Sequence, residues 1–176
     1  DEEGLISANH TCDEGYYCPG GDAVSTYVCP RGARCVEGRS SPEPCPAGQY
    51  QNETGLAECK VCPESYYCDE GTIDPLDCPV AFYCPEGTSY STEYPCPSGT
   101  FNNRTNVGST DDCTLCTPGF YCSSTGLSEP EALCGAGHYC QHGVNTPTPE
   151  GNHSGGGLCA PGYACVSGAE TPYPID

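Results

Sequence analysis

Cysteine is the residue type in this sequence whose chemistry depends most on spacing. The chain holds 18 cysteines in 176 residues, and they include two CxxC motifs, CKVC at residues 59–62 and CTLC at residues 113–116. A zinc site needs four ligands close together, whereas these motifs lie far apart in the sequence. A thioredoxin-like redox site needs a βαβ context, which a chain with 23 Gly and 18 Pro does not supply. We therefore predict that these cysteines form structural disulfides.

The other reactive side chains show no catalytic or metal-binding pattern. The 4 histidines cannot be matched with a nucleophilic cysteine, because every Cys has a disulfide partner available in the sequence. The acidic runs at residues 1–3 and 111–112 lack the ligand spacing of a calcium loop. We expect no catalytic residue, no metal ligand and no cofactor, and hence a protein that is not an enzyme.

Four Asn-X-Ser/Thr sequons offer sites for covalent glycans. Two of them occupy the same place, seven residues after a Cys that opens a loop. Sequons of this kind are glycosylated on surface loops of secreted proteins. We predict N-glycans at the four sequon residues, Asn9, Asn52, Asn103 and Asn152. The prediction is strongest for Asn52 and Asn103, which occupy the two equivalent positions.

Composition narrows the class of protein further. The formal net charge is −19, with 5 Lys+Arg against 24 Asp+Glu, and such a surface repels nucleic acid. The longest apolar run, residues 80–84, is too short to cross a bilayer. Cysteine at this density is typical of disulfide scaffolds in an oxidising compartment, so we predict an extracellular or cell-surface location. A start at Asp1 rather than Met leads us to expect a processed chain or a fragment.

An internal repeat organises the cysteines. Seven pairs have the form Cys, five residues, Cys, and two pairs make a block. After the first and second blocks come longer loops, CPAGQYQNETGLAEC at 45–59 and CPSGTFNNRTNVGSTDDC at 96–113. The period is about 50 residues. We predict cysteine-rich repeats at 1–59, 60–113 and 114–158, the last with a Cys-less linker, and the start of a further repeat at 159–176.

The third linker provides an internal control for disulfide pairing. Residues 141–158 lack both of the cysteines found in the two longer loops. Loss of one would strand a thiol, so their joint loss indicates that they are partners. We therefore predict the bridges Cys45–Cys59 and Cys96–Cys113, each worth about 3 kcal/mol in the chain-entropy model.

Within a four-cysteine block, spacing leaves the pairing open. The second block can form either a crossed ladder, Cys62–Cys78 with Cys68–Cys84, or two local bridges, Cys62–Cys68 with Cys78–Cys84. Gly and Pro recur every few residues, so helices are not expected. We predict short β-ladders next to the bridges, with aromatic side chains lying over disulfides as small local cores.

The CPxG loops followed by C-x5-C blocks resemble the GCC2/GCC3, or ephrin-receptor-like, cysteine-rich repeats, which are distantly similar to tumour-necrosis-factor-receptor modules. The resemblance covers nearly the whole chain. It implies an elongated rod of small disulfide-rich modules with short hairpins, closed CPxG loops and crossed pairing within each block. The crossed bridges that it implies are Cys12–Cys29, Cys18–Cys35, Cys62–Cys78, Cys68–Cys84, Cys116–Cys134 and Cys122–Cys140, with Cys159 and Cys165 opening an incomplete block.

Two functions remain open at this point. The first is a structural glycoprotein that builds a fibre or surface coat, with partners that are further copies end to end or the continuation of a longer repeat chain. The second is a receptor or adhesion ectodomain that binds a protein ligand. For that ligand the sequence offers one cluster of cations near Val28 and Val36, namely Arg31, Arg34 and Arg39.

Overall fold

The computed structural model describes residues 11–20, 26–151 and 155–174. The chain divides into two compact bodies, one made of Asp1–Pro63, Tyr67–Leu76 and Glu86–Tyr90, the other of Glu64–Tyr66, Asp77–Pro85 and Ser91–Asp176. The predicted division into repeats near residues 59, 113 and 158 stays a prediction.

Short antiparallel hairpins make up the regular structure of the described residues. Seven hairpins pair consecutive strands in the order β1–β2 to β13–β14, and one isolated bridge joins Phe82 to Pro95. A single 3-10 helix covers Thr110–Asp112. The predicted fold class, a small disulfide-rich and nearly all-β repeat, is confirmed. The strands are β1 Tyr16–Tyr17, β2 Tyr27–Val28, β3 Ala33–Arg34, β4 Glu43–Pro44, β5 Gln49–Tyr50, β6 Lys60–Val61, β7 Tyr66–Tyr67, β8 Leu76–Asp77, β9 Thr100–Phe101, β10 Thr114–Leu115, β11 Phe120–Tyr121, β12 Ala132–Leu133, β13 His138–Cys140 and β14 Gly156–Leu158.

The structural repeat is shorter than the sequence pattern suggests. Each of nine disulfides joins one cysteine to the next along the chain. We call each segment that begins at the first Cys of such a pair a cysteine turn, and number its residues from that opening Cys. Intervals between opening cysteines run from 16 residues (Cys29 to Cys45) to 25 residues (Cys134 to Cys159). Turns 1 to 9 open at Cys12, Cys29, Cys45, Cys62, Cys78, Cys96, Cys116, Cys134 and Cys159.

The crossed pairing that the resemblance implies is wrong in this structure. Every C-x5-C pair is bridged to itself, with Cα–Cα distances of 5.7 to 5.9 Å. The reason lies at position 4 of each turn, where φ is between 73° and 91°. This left-handed residue reverses the chain and brings positions 1 and 7 together, so the local bridge forms without help from a neighbouring turn. Cys159 and Cys165 are bridged to each other in the same way.

The two longer loops are closed as predicted, by Cys45–Cys59 and Cys96–Cys113. The third linker, however, is not their Cys-less counterpart. Its residues Gly156–Leu158 form β14, which pairs with β13 of the same turn. The linker therefore ends in the return strand of turn 8. The pairing argument thus reached the right bridges from an alignment that the structure does not support.

The core consists of disulfides covered by aromatic side chains, as predicted. Tyr17 packs against the bridge Cys29–Cys35. Phe101 packs in the same way on Cys116–Cys122, and Tyr121 on Cys134–Cys140. In each case the aromatic residue occupies position 6 of one turn and the disulfide belongs to the next turn. The local cores thus tie successive turns together.

Candidate functional site

Two left-handed bends shape the cysteine turns, and the structure describes the first bend in all nine turns and the second in turns 2 to 9. The first bend is position 4, which is Gly in seven turns and Ser65 or Ala81 in the other two. The second bend follows position 7 by three or four residues and is Gly except for Asn106, with φ from 59° to 85°. Glycine suits both bends because it has no Cβ to clash at positive φ. The second bends of turns 2 to 9 are Gly38, Gly55, Gly71, Gly87, Asn106, Gly126, Gly143 and Gly168.

The first bend anchors each turn to the next through its peptide groups. In turn 1, the Gly15 N–H donates to the carbonyl of Cys35 at 2.8 Å, and the Gly15 carbonyl accepts from the N–H of Cys29 at 2.9 Å. Equivalent pairs recur at all eight junctions, at 2.7–2.9 Å and 2.8–3.2 Å respectively. The first-bend donors are Gly15, Gly32, Gly48, Ser65, Ala81, Gly99, Gly119 and Gly137.

Two further backbone hydrogen bonds complete each junction. The N–H at position 7 of a turn donates to the carbonyl of the residue that follows the second bend of the next turn. In turn 1 this is the bond from the Cys18 N–H to the Arg39 carbonyl. The second-bend N–H, such as Gly38, donates to the carbonyl of the preceding opening cysteine, here Cys12. These bonds measure 2.8–3.1 Å and 2.8–2.9 Å over the eight junctions. The junction therefore depends on the chain path and the bends rather than on particular side chains.

A second set of contacts links each turn to the next but one. A Cβ atom added to the first bend Gly15, Gly32, Gly48, Gly99 or Gly119 would stand 2.3–2.8 Å from the second-bend carbonyl oxygen two turns later. The side chain of the residue just before an opening cysteine packs against the same second bend. Examples are Val28 against Gly55 and Leu133 against Gly168. Where the second bend is Asn106, its amide donates to Asp77 at 2.8 Å instead.

Two buried amides take the place of cysteine at position 7. Gln51 in turn 3 and Asn102 in turn 6 are 0% exposed. The Gln51 Nε2 donates to the Glu58 carbonyl at 2.6 Å, and its Oε1 accepts from the Glu53 N–H at 3.1 Å. Sequence reasoning missed these residues, although aligning CPAGQYQ with CPESYYC places Gln51 opposite Cys68.

Each buried amide fixes the backbone around a sequon. The Asn102 Oδ1 accepts from the Arg104 N–H at 2.9 Å, so Asn103 is the central residue of a tight turn and is exposed. Asn52 holds the equivalent place, but it is half-buried and accepts from Lys60 Nζ at 2.8 Å. Both are position 8 of their turns. The sequon residues Asn9 and Asn152 lie outside the described residues.

The predicted arginine cluster is engaged in ion pairs within the chain. Arg34 Nε lies 3.3 Å from Glu43 Oε2, and Arg39 pairs with the same carboxylate. Arg31 instead lies 3.1 Å from Asp74. The hydrogen bond from Arg34 is the main cause that holds the pKa of Glu43 below 4.5. The structure thus brings Arg34 and Arg39 together on one acid, and Arg31 has a different partner.

Two further carboxylates close loops. The pKa of Asp112 is lowered chiefly by the backbone N–H of Ser109 and then that of Gly108. The pKa of Glu131 is lowered first by the Ser123 hydroxyl, which donates to it at 2.7 Å. Both are local loop caps and not paired acids of the kind that general acid–base catalysis uses.

Three observations bear on what the chain resembles and contains. Among residues 11–20, 26–151 and 155–174, no three His, Cys, Asp or Glu side chains are grouped so as to hold a metal ion. In the same part of the chain, no helix has the length and apolar character needed to cross a membrane. Comparison with models of protein families and with curated proteins found no match.

Proposed function

We propose that this chain is a non-enzymatic extracellular glycoprotein that serves as a structural repeat module of a fibre or surface coat. Nine disulfides and no free cysteine among the described residues support an oxidising compartment. The sequons at Asn52 and Asn103, in equivalent turns, support glycosylation. A place among the GCC2/GCC3-type repeats is part of the same proposal and rests on the motifs alone.

One observation carries the structural role: the same four-bond junction recurs eight times. In repeat proteins each unit contacts mainly its near neighbours, so stability accumulates along the chain. A receptor or adhesion module would instead need a surface for its ligand. The candidate cations for such a surface, Arg31, Arg34 and Arg39, are already paired with Asp74 and Glu43.

Immunogold electron microscopy of native, unpermeabilised cells or secreted material tests this proposal. We expect label at regular intervals along extracellular fibres or in a continuous coat. Label confined to the cell interior would contradict the extracellular role. If the label instead marks isolated molecules, and these molecules bind one soluble protein, the result would support the receptor or adhesion alternative.

A further inference from the structure

The two sequons in the longer loops share one sequence pattern. Each has an aromatic residue two positions before the asparagine and a threonine two positions after it, as YQNET at residues 50–54 and FNNRT at residues 101–105. The backbone around them is also alike, because in each the residue before the asparagine is a buried amide that accepts from the N–H of the residue after it. The environment of the aromatic ring, however, differs between the two.

In turn 3 the aromatic ring and the sequon asparagine lie on the same side of the chain. Alternate residues of an extended segment point to the same side, and Gln51, which separates the two, is buried. Lys60 pairs with Tyr50 in the hairpin and contacts both residues. Its Nζ lies 6.0 Å from the centroid of the Tyr50 ring and 2.8 Å from Asn52 Oδ1. Tyr50 is only half-buried, so part of its surface lies in solvent near the amide that would carry a glycan.

The amide of Asn52 is held in a defined orientation. Lys60 Nζ donates to Asn52 Oδ1 and also to Glu53 Oε1, each at 2.8 Å. A glycan is attached through the other amide atom, Nδ2, and leaves Oδ1 able to accept the same hydrogen bond. Glycosylation therefore needs no loss of the Lys60 contact, and that contact limits the directions in which the first sugar can point.

In turn 6 the equivalent ring is not available to a sugar. Phe101 is 7% exposed and packs on the disulfide Cys116–Cys122. Its partner in the hairpin is Thr114, whose shorter side chain carries no amino group. Asn103 itself is exposed. The chain thus contains one sequon with a half-buried ring beside it and a matched sequon whose ring is covered by a disulfide.

We propose that the first N-acetylglucosamine of a glycan on Asn52 packs against the ring of Tyr50 and thereby stabilises turn 3. A sugar ring presents C–H groups with a partial positive charge on one face, and the face of an aromatic ring is negative, so the two attract each other. The contact also removes apolar surface of Tyr50 from water. A glycan on Asn103 instead extends into solvent. This inference rests on the proposed glycosylation and gives the Asn52 glycan a structural role.

Melting temperatures of the whole chain with and without each glycan test the proposal. The chain is produced in a secretory host that makes high-mannose glycans, and an endoglycosidase trims each glycan to its first N-acetylglucosamine. Thr54→Ala removes the Asn52 glycan, and Thr105→Ala is the matched control for Asn103, since both threonines are exposed. We expect Thr54→Ala to lower the melting temperature by about 2–4 °C, the shift that one contact of ordinary strength produces in a chain of this size. Thr105→Ala should have little effect. The same variants made without glycans in a bacterial periplasm correct for the substitutions themselves.

A second measurement identifies the ring. With isotope-labelled N-acetylglucosamine, we expect nuclear Overhauser contacts between protons of the Asn52 sugar and the Tyr50 ring. In Tyr50→Leu the glycan should no longer raise the melting temperature. If Tyr50→Leu does not fold, the Overhauser contacts in the wild-type chain decide.

Three results would overturn this inference and leave the structural role of the chain standing. They are an Asn52 glycan that stabilises no more than the Asn103 glycan, one that still stabilises Tyr50→Leu, and one without Overhauser contacts to the ring. An Asn52 that carries no glycan in the native protein would overturn the inference and also contradict the predicted glycosylation of that residue.

Discussion

Gly48 of turn 3 lies directly against the backbone of Gly87 of turn 5. A Cβ atom on Gly48 would stand 2.6 Å from the Gly87 carbonyl oxygen, closer than real Cβ contacts come. Gly137 occupies the same position in turn 8 with the same φ of 84°, yet a Cβ there would meet nothing within 4 Å. A side chain at Gly137 would therefore cost only the strain of a positive φ. A side chain at Gly48 would cost the same strain and also the overlap with the Gly87 carbonyl.

We expect Gly48→Ala to destabilise the chain clearly more than Gly137→Ala. Both variants force a Cβ into the left-handed region, at about 1–2 kcal/mol. Gly48→Ala adds an overpacking cost of about 1–3 kcal/mol because its neighbour is backbone and cannot turn away. Calorimetry of the oxidised proteins at low concentration measures the difference in melting temperature. Equal melting temperatures would show that the contact between turns 3 and 5 does not form.

The buried amide of turn 3 provides a second test. Gln51→Leu keeps the side-chain volume but leaves the Glu58 carbonyl and the Glu53 N–H without their partner. We expect a loss of about 1–3 kcal/mol in the free energy of unfolding, measured by chemical denaturation with the disulfides intact. Gln141→Leu, an exposed glutamine in turn 8, should have little effect. Similar losses in both variants would indicate that the Gln51 hydrogen bonds contribute nothing specific.

Much of the fold follows from sequence, and the failures have definite physical causes. The bridges of the two longer loops were predicted correctly from the principle that an unpaired thiol is disfavoured, although the comparison with residues 141–158 that the argument used is not supported by the structure. Pairing within the C-x5-C blocks could not, since spacing is compatible with both patterns and the decisive feature is the conformation at position 4. Ser65 and Ala81 conceal that feature, because glycine is absent where φ is still positive.

The candidate site was harder to predict than the fold. Sequons can be recognised locally, but the amides that support them, Gln51 and Asn102, become apparent only when the longer loops are aligned with the C-x5-C turns. The arginine cluster showed the reverse problem. Residues close in sequence suggested a joint surface, whereas Glu43 and Asp74 supply their partners from later in the chain.

For the native protein, we expect N-glycans on both Asn52 and Asn103. Asn103 is exposed while Asn52 is half-buried beside Lys60, so a peptide N-glycosidase, which hydrolyses the amide bond between Asn and its glycan, should release the Asn103 glycan faster from the folded protein. Mass spectrometry in heavy-oxygen water follows the conversion of each Asn to Asp. After reduction and denaturation the two rates should become similar. Finding both residues unmodified would contradict the predicted N-glycosylation.

Peptide mapping without reduction distinguishes local from crossed bridges. Cleavage after the exposed residue Glu70 separates turn 4 from turn 5. With the bridges Cys62–Cys68 and Cys78–Cys84, we expect the two sides of this cut to come apart without reductant. Crossed bridges would hold them together until reductant is added, and that result would contradict the structure.

The ion pairs of Glu43 predict a dependence of stability on pH. The folded-state pKa is lowered from 4.5 by Arg34 and Arg39, so the contribution of this carboxylate is present above pH 4.5 and is lost as pH falls through the folded-state pKa. An NMR titration of the Glu43 side chain should give a pKa below 4.5. Glu43→Gln should reduce the loss of stability between neutral and acidic pH. A titration at or above 4.5 would show that the arginines do not pair with Glu43.

The pairing of every cysteine with the next one has a consequence for how the chain matures. Its bridges span only 6, 14 or 17 residues, so each can close soon after its second cysteine has been synthesised. Chains form structure from the N-terminus during synthesis, and here the order of synthesis is also the order of correct partners. Oxidation can then proceed turn by turn with little reshuffling by a disulfide isomerase, and the length of such an array is not limited by a search among distant thiols.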